Sequence, residues 1–351
     1  MRLLILPGDG IGPEIMAATV TALDALNGRF DLKLDLGERT IGLAAHAAGG
    51  STFPDSVLEE ARTAEGVILG PVHTVAYPPK EEGGINPSAA IRKVLDLYAN
   101  IRPSRVRPGV PSVAKSMDLV IARENTEGFY ADRNMFAGSG EFMPTEDLAL
   151  SIRKITAAGS RRIAETAFDL AERRRQKVTV VTKVNVLKVS DGLFLKQVRG
   201  VADAHPEVEL NEVLIDAMAA LLVRTPDAFD VIVTTNMYGD ILSDEAAELS
   251  GGLGLGASVN AGDGHGVAQA VHGSAPDIAG QGIANPAALM GSAAMLLEWL
   301  GAKHGRDDLL AAADHFNAAI DRVLADGANH TPDLGGKATT EEMGKAIADA
   351  L

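Results

Sequence analysis

Five short aliphatic runs constrain this chain more than any other feature: "RLLILPGDG" (2–10), "GVILG" (66–70), "DLVIAREN" (118–125), "KVTVVTKVN" (177–185) and "DVIVTTN" (230–236). Each is bounded by Gly or polar residues, and none alternates apolar with polar side chains. A strand with one face in water alternates, whereas a strand covered on both faces does not. Segments with helical spacing lie between the runs. In "NPSAAIRKVLDLYAN", Ile91, Val94, Leu95 and Tyr98 fall at i, i+3, i+4 and i+7, with Asn86 as N-cap and Pro87 at the first helical position. The Asn-Pro opening recurs at Asn285-Pro286 before "AALMGSAAMLLEWLG", with Gly301 as the expected stop. The alternation predicts an α/β fold, a sheet flanked by helices. At 351 residues the chain calls for two domains or one large α/β body. The weakly periodic 131–151 suggests an arm or a short hairpin.

Charge narrows the function. A formal net charge of −15 disfavours nucleic acid and anionic membrane as partners, since both need a positive surface. An anionic substrate stays open, because one cleft can be locally basic. With no cysteine, disulfides, thiolate nucleophiles and Cys-ligated zinc are excluded. The opening "MRLLILPGDG" has too short an apolar run for a secretion signal, and no stretch reaches membrane-spanning length. A cytoplasmic location is the expectation.

The chemistry-bearing residues sit where the aliphatic runs end. In "VIVTTNMYGDILSDEAAE" (231–248), Asp240 and Asp244 fall at i, i+4. On a helix their Cβ atoms lie about 6 Å apart, a mildly unfavourable pairing. A solvated acidic first turn accounts for the pair. So does a divalent cation, because Mg2+ or Mn2+ takes one or two carboxylates and leaves positions for substrate oxygens. Asp216, in the mostly apolar "LIDAMAALLV", is either a helix-edge residue in solvent or a third ligand. Arg92, Arg102, Arg105 and Arg123 suit two-pronged carboxylate binding or structural ion pairs. Lys183 and Asn185 end the run at 177–185. A lysine beside a metal has its pKa pushed down towards use as a base, whereas elsewhere it snorkels to solvent. Tyr130, one of four tyrosines, ends the segment that follows the strand at 118–125, and most buried tyrosines are core residues with a tied hydroxyl.

The glycines of "LPGDGIGPEI" (6–15) are spaced G-x-G-x-G, which is not the dinucleotide fingerprint. "AVHGSAPDIAGQGIANP" (270–286) is richer: His272, Gly273, Asp277 and the helix start at Asn285 together suit an adenosine. A carboxylate at Asp277 can bind ribose hydroxyls and would repel a 2′-phosphate.

Together the motifs resemble the β-decarboxylating dehydrogenases, the isocitrate/isopropylmalate dehydrogenase family with its homoisocitrate and tartrate/D-malate members. The matching stretches are "LPGDGIGPEI", "LDLYANIRPSR", "RENTEGFY", "KVNVLKVSDGLF", "TTNMYGDILSDEAAELSGGLGLG", "VHGSAPDIAGQGIANP" and "TPDLGGKATT", in order from residue 6 to residue 340. The resemblance implies an isopropylmalate dehydrogenase-like two-domain α/β fold with one large twisted mixed sheet spanning both domains. One domain would combine 1–97 with 251–351; the other would hold 98–250, including an arm, 131–156, reaching into a homodimer partner. By the same resemblance, Asp240 and Asp244 with Asp216 of a second copy hold Mg2+ or Mn2+. Arg92, Arg102 and Arg123 bind substrate carboxylates, with Asn86, Ser88 and Asn185 as further substrate contacts. Tyr130 and Lys183, the latter from the second copy, form the acid–base pair. His272, Gly273, Ser274, Ala275, Asp277, Ile278 and Asn285 line an NAD pocket, Asp277-Ile278 matching the NAD type. The implied substrate is a small 2-hydroxy di- or tricarboxylate, oxidised at C2 and then decarboxylated.

Two departures bear on specificity. Relatives usually carry Glu three residues before the histidine of "HGSAP", where this chain has Gln269. Isopropylmalate enzymes normally show leucines ahead of the arginine, where this chain has Asn86, Ser88 and small alanines. Polar groups at a helix N-terminus suit a carboxylate-bearing C3 substituent and favour isocitrate or homoisocitrate. 3-Isopropylmalate and tartrate/D-malate remain alternatives. A non-catalytic regulatory subunit of an isocitrate dehydrogenase is a competitor of another class, but such subunits typically lose part of the tyrosine, lysine and aspartate set that is present here.

Overall fold

The computed structural model describes residues 1–130, 135–136 and 138–351. Residues 131–134 and 137 of the expected arm lie outside the described residues. The strands are β1 (Arg2–Leu6), β2 (Asp35–Glu38), β3 (Gly66–Leu69), β4 (Ala99–Arg105), β5 (Asp118–Glu124), β6 (Glu141–Thr145), β7 (Leu148–Ser151), β8 (Lys177–Thr182), β9 (Glu209–Leu214), β10 (Val231–Thr234), β11 (Val259–Ala261) and β12 (Gly266–Ala268). The helices are α1 (Gly12–Phe30), α2 (Gly42–Gly49), α3 (Asp55–Thr63), α4 (Pro87–Val94), α5 (Ala157–Glu172), α6 (Ser190–Ala202), α7 (Ile215–Arg224), α8 (Asn236–Ser250), α9 (Ala287–His304), α10 (Asp307–Asp326) and α11 (Thr340–Asp349).

All five aliphatic runs form strands, and β1, β3, β5, β8 and β10 are buried along most or all of their length. Among the described residues they belong to one ten-stranded mixed sheet, ordered β2-β1-β3-β12-β11-β4-β5-β10-β8-β9. Neighbours are parallel from β2 to β12 and from β5 to β9. The three central pairings, β12 with β11, β11 with β4 and β4 with β5, are antiparallel. The two parallel blocks therefore run in opposite directions, and the chain crosses between them on β4 and returns on β11.

Apolar packing follows the same division. One cluster joins α1, α9, α10 and α11 on one face of the β1 side, and a second joins Leu4, Leu6, Phe53, Val67, Ile91 and Leu97 on its other face. Two more clusters cover the faces of the β5–β10–β8 block, built from Phe168, Phe194 and Val231 on one side and Met218, Ile232 and Leu242 on the other. Strands enclosed on both faces explain why the runs lack alternation.

Two helix ends differ from the sequence expectation. α4 stops at Val94 instead of continuing to Tyr98, because Asp96 turns left-handed at φ 48° and Leu97 N–H donates to the Arg92 carbonyl at 2.9 Å. Ile91 and Leu95 face one cluster, whereas Tyr98 already belongs to the next. α9 continues past Gly301 to His304, and Gly305 supplies the left-handed cap. Gly301 is instead a contact point between helices: a Cβ there would lie 2.8 Å from Leu310 Cδ2, at the start of α10. Strand β4 escapes a reading by composition because it carries Arg102, Pro103 and Arg105, and proline inside a run argues against a central strand. Strands β6 and β7 form an antiparallel hairpin whose residues are all exposed, Phe142, Met143, Leu148 and Leu150 among them.

Candidate active site

The site grows from the junction of the two blocks. In the antiparallel β4–β5 pair, Asn100 stands opposite Arg123, and Arg102 two residues further along β4. Strand β10 runs beside β5 and ends at Thr234, two residues before Asn236 opens α8. The first three turns of α8 therefore cross the ends of β4 and β5, bringing Asp240 and Asp244 over the two arginines.

Arg123 is 1% exposed, so its guanidinium must find partners inside the protein. Its Nε donates to the Asn236 carbonyl and to Asn236 Oδ1, both at 2.9 Å. Its Nη2 donates to Asn236 Oδ1 at 2.6 Å and to the Tyr130 hydroxyl at 2.7 Å. Its Nη1 reaches Asp240 Oδ1 at 2.5 Å. Arg102, buried as well, donates to Asn100 Oδ1 at 2.6 Å and to Ser243 Oγ at 2.7 Å, and lies 3.2 Å from both Asp240 and Asp244. Tyr130 donates to Asp240 Oδ2 at 2.7 Å. The closeness of Asp240 and Asp244 is thus met by protein cations before any ligand arrives.

These contacts set the protonation states. Burial alone would raise Asp240, but Arg123, Arg102 and the Tyr130 hydroxyl outweigh it and hold the carboxyl below its usual range. Burial raises Asp244, with Arg102 offsetting it in part and the neighbouring Asp240 adding to it. Burial also raises Tyr130, against the pull of Arg123, and so favours the neutral phenol. Desolvation, reinforced by the nearby Arg123, lowers Arg102 to about 10, still charged at neutral pH.

The spacing within α8 needs Gly239. A Cβ there would sit 2.6 Å from Arg123 Cγ and 2.7 Å from its Cβ, atoms too close to the backbone to swing aside. Asn100, Asn236, Gly239 and Ser243 were not singled out from the sequence as site residues. Asn236 shows in the sequence only as the polar end of the run 230–236, and nothing local marks Asn100, Gly239 or Ser243. Their contacts with the arginines span 113 and 141 positions for Asn236 and Ser243.

A second polar group adjoins the first. Gln269 follows β12, and its Oε1 accepts from Ser88 Oγ at 2.8 Å and from Arg92 Nη2 at 3.1 Å. Arg92 also acts electrostatically on Asp240 and Tyr130, which places it in the same cleft. Asn86 caps α4 through Oδ1, accepting from Ala89 N at 3.2 Å, so its amide nitrogen is the group left for a ligand.

Lys183 and Asp216 stand apart from this cluster. Lys183 lies just beyond β8 and ion-pairs with Asp216 in the first turn of α7. The Asp216 side chain is 65% exposed rather than set in apolar surroundings, and Asn185 is exposed as well. Among the described residues no three histidine or acidic side chains gather to hold a metal; Asp240 and Asp244 are a pair.

The segment 272–285 lies at the C-terminal side of β12. His272 Nδ1 contacts the Gly273 carbonyl at 3.0 Å, while Nε2 is enclosed and has no hydrogen-bond partner among the described residues. Burial pushes the imidazole down, against small opposing effects of that carbonyl and of Asp333. Ser274 and Ala275 meet the first glycine-rich loop, where Ile11 N–H donates to the Ser274 carbonyl at 2.9 Å. Close backbone approaches explain the G-x-G-x-G motif: a Cβ at Gly10, with φ 60°, would lie 1.9 Å from the Ser274 oxygen, one at Gly8 2.2 Å from the Pro71 oxygen and one at Gly12 2.1 Å from the Pro7 oxygen. Asp277 is exposed, and Ile278 packs against the α1–α9 cluster. Asn285 accepts from Ala287 N at 2.9 Å and donates to Asp333 Oδ2 at 3.0 Å. Asp333 lines a neighbouring cavity of about 560 Å³ with Glu248 and Leu253.

Residues 2–347 match the family model described as isocitrate/isopropylmalate dehydrogenase. The isocitrate/homoisocitrate dehydrogenase of Thermus thermophilus is 41% identical over 351 residues, covering 100% of this chain and 98% of the relative. The 3-isopropylmalate dehydrogenase of Methanothermobacter thermautotrophicus is 40% identical over 352 residues, with 100% and 98% covered. The crystal structure of isocitrate dehydrogenase from Methylococcus capsulatus superposes with a TM-score of 0.88 at 38% identity, covering 99% of this chain and 98% of that one. The chain therefore belongs to the isocitrate/isopropylmalate dehydrogenase family of decarboxylating oxidoreductases.

Proposed function

We propose that the chain catalyses the NAD-dependent, divalent-metal-dependent oxidative decarboxylation of a 3-substituted (2R)-malate, isocitrate or homoisocitrate, as a homodimer with active sites shared between copies. The observation that carries this is the convergence of Arg102 and Arg123 on Asp240 and Tyr130, with Arg92 facing the same cleft. Such a group suits a polyanionic substrate whose oxygens must be held while charge moves through them.

Arg92, Arg102 and Arg123 would bind the substrate carboxylates, with Asn86, Ser88 and Asn185 as further contacts. Asp240 and Asp244, joined by Asp216 from the second copy, would hold Mg2+ or Mn2+. An all-oxygen donor set with an ionised Asp240 fits a hard cation. His272, Gly273, Ser274, Ala275, Asp277, Ile278 and Asn285 would line the NAD pocket. The enclosed His272 Nε2, without a hydrogen-bond partner among the described residues, and the open space beside Gly273, Gly280 and Gly282 fit such a ligand. When bound, NAD would accept hydride from C2, and the metal would polarise the C2 oxygen and stabilise the charge left as CO2 departs. Lys183 of the second copy takes the proton of the C2 hydroxyl. Tyr130, kept neutral by burial, returns a proton to C3.

Two structural features support the assembly and its division. The exposed apolar side chains of the β6–β7 hairpin suit an arm, 131–156, that packs on a second copy. The apolar clusters support one domain of 1–97 plus 251–351 and another of 98–250.

Polar Asn86, Ser88 and Gln269 around Arg92 favour a carboxylate-bearing C3 substituent over an isopropyl group. The test is absorbance at 340 nm with NAD, Mn2+ and a panel of isocitrate, homoisocitrate, 3-isopropylmalate, D-malate and tartrate. The highest kcat/KM is expected on isocitrate or homoisocitrate; a preference for 3-isopropylmalate would overturn the substrate assignment.

A further inference from the structure

Arg153 and Asp191 form an ion pair outside the cluster of Arg102, Arg123 and Asp240, with side chains 8% and 0% exposed. Asp191 lies in the first turn of α6, where the helix dipole favours an acid. The dipole alone does not call for burial, because taking two charges out of water is costly unless each polar atom is met. Here the atoms are met, and by particular segments. Asp191 Oδ1 accepts from Arg153 Nη1, while Oδ2 accepts the backbone N–H of Lys183 at 2.5 Å. The Lys183 carbonyl accepts from the N–H groups of Val186 at 2.9 Å and Leu187 at 2.8 Å, and the Leu187 carbonyl accepts from Asp191 N–H at 2.9 Å. Both backbone polar atoms of Lys183 are therefore held, the N–H by a side-chain oxygen. The turn closed in this way stands out from the body, with Val186 65% and Val189 88% exposed. Lys183 sits at its root, just beyond β8.

The other side of the pair faces this copy's own site. Arg153 Nη2 donates to Thr235 Oγ1 at 2.9 Å, on the residue that precedes α8, and Nη1 donates to Ser190 Oγ at 3.3 Å. The guanidinium carbon lies 5.1 Å from the centre of the Tyr238 ring and 5.8 Å from that of Phe129. Tyr238 is two residues before Asp240, and Phe129 one before Tyr130. One guanidinium thus joins the root of the arm to the start of α8 and, through Asp191, to the backbone of Lys183.

We infer that Asp191, anchored by Arg153, is a positioning residue for Lys183: it fixes the backbone from which the lysine reaches the second copy's active site, so its effect falls on that site and not on its own. The inference rests on the shared sites proposed above; the hold on the Lys183 N–H does not. Losing the anchor leaves substrate binding by the arginines in place and slows proton transfer, a loss in kcat rather than in KM.

Asp191→Asn alone would leave Arg153 buried and uncompensated, so the test uses two pair variants that carry no charge. R153M/D191N keeps an amide oxygen for the Lys183 N–H, and R153M/D191L has none. Circular dichroism and Tm check both folds. The assay uses NAD, Mn2+ and the acid of the panel above with the highest kcat/KM. R153M/D191L homodimers are expected to show a kcat about tenfold or more below R153M/D191N, with KM within about twofold. Equal kcat, or a loss expressed in KM alone, overturns the inference.

Mixed dimers, isolated with two affinity tags, locate the effect. With Tyr130→Phe on one copy and a pair variant on the other, the working site takes its lysine from the Tyr130→Phe copy. Exchanging D191N for D191L is expected to change nothing there. With Tyr130→Phe and the pair variant on one copy, opposite a wild-type copy, the working site takes the altered copy's lysine. D191L is then expected to fall about tenfold or more below D191N. A difference in the first arrangement and none in the second would place the effect on the copy's own site and overturn the inference. Tyr130→Phe and Lys183→Met on opposite copies are the control for shared sites. If that dimer recovers no activity, the shared sites and the cross-copy effect both fail, and the homodimer kcat and KM decide whether Asp191 positions Lys183 at all. If it recovers activity and D191L differs from D191N in neither arrangement, the role of Asp191 fails and the shared sites stand.

Discussion

Arg123 holds Asp240 at 2.5 Å from a position 1% exposed, so the carboxylate at the mouth of the site is fixed by a cation beneath it. Asp240 is thereby kept ionised and aimed, with its other oxygen taken by Tyr130 at 2.7 Å. A bound metal would exploit a carboxylate that has already lost its proton, at the cost of sharing it with two guanidinium groups.

Asp240→Asn removes the charge but keeps the shape. Arg123 retains Asn236 and Tyr130, and Arg102 retains Ser243 and Asp244, so the fold is expected to persist by circular dichroism. Loss of an outer partner of a metal ligand costs roughly 10–100-fold, and loss of a ligand itself should exceed that in Mn2+-dependent kcat/KM. The Mn2+-induced rise in Tm should also vanish. Unchanged kinetics would remove Asp240 from the metal site.

Gly239→Ala opposes two effects. Helix propensity favours alanine by about 1 kcal/mol in the interior of α8. The new Cβ would lie 2.6 Å from Arg123 Cγ, and overpacking of that kind costs about 1–3 kcal/mol. Steric cost is expected to win, with Tm lowered and kcat/KM reduced through the displaced guanidinium. A more stable and fully active variant would show that β5 and α8 can separate without penalty.

His272 makes stability depend on pH with a definite sign. Burial lowers its folded pKa below the ordinary value of about 6.5. As pH falls below that value the unfolded chain takes a proton that the folded chain does not, and stability drops until the folded pKa is reached. The slope is at most about 1.4 kcal/mol per pH unit from this one group. Urea unfolding at pH 7.5, 6.5 and 5.5 should show a steeper acid loss for the wild type than for His272→Asn. Parallel curves would mean that His272 titrates normally.

Asp277 should decide between the two nicotinamide cofactors. Its carboxylate is exposed and makes no side-chain hydrogen bond among the described residues, leaving it free for ribose hydroxyls. The wild type is expected to prefer NAD to NADP, and Asp277→Ala to narrow the ratio of kcat/KM by about tenfold through lost repulsion of the 2′-phosphate. A wild type that used NADP equally well would remove this role from Asp277.

Much of the fold was legible because burial on both faces leaves a mark in the sequence. Runs such as Val231–Thr234 cannot alternate, and they became the strands of the sheet. The Asn86-Pro87 helix start was legible for a local reason as well, since a cap and its first turn lie within three residues. The helix ends were less so, because Gly301 and Gly305 are alike in sequence and only contact with Leu310 distinguishes them.

The candidate site divides in the same way. Charged residues at strand ends and the family motifs singled out Arg102, Arg123, Tyr130, Asp240 and Asp244 as candidates, and the structure brings these five together. Sequence alone thus determined the α/β class and the family, and it pointed to the groups proposed to react. Tertiary structure decided that Asn100, Asn236 and Ser243 orient the arginines, that Gly239 makes room for Arg123, and that Gln269 ties Ser88 to Arg92. The physical reason is range: a short run and its caps are settled by neighbours in the chain, whereas hydrogen bonds across 113 to 181 positions exist only once the sheet has brought its strands together.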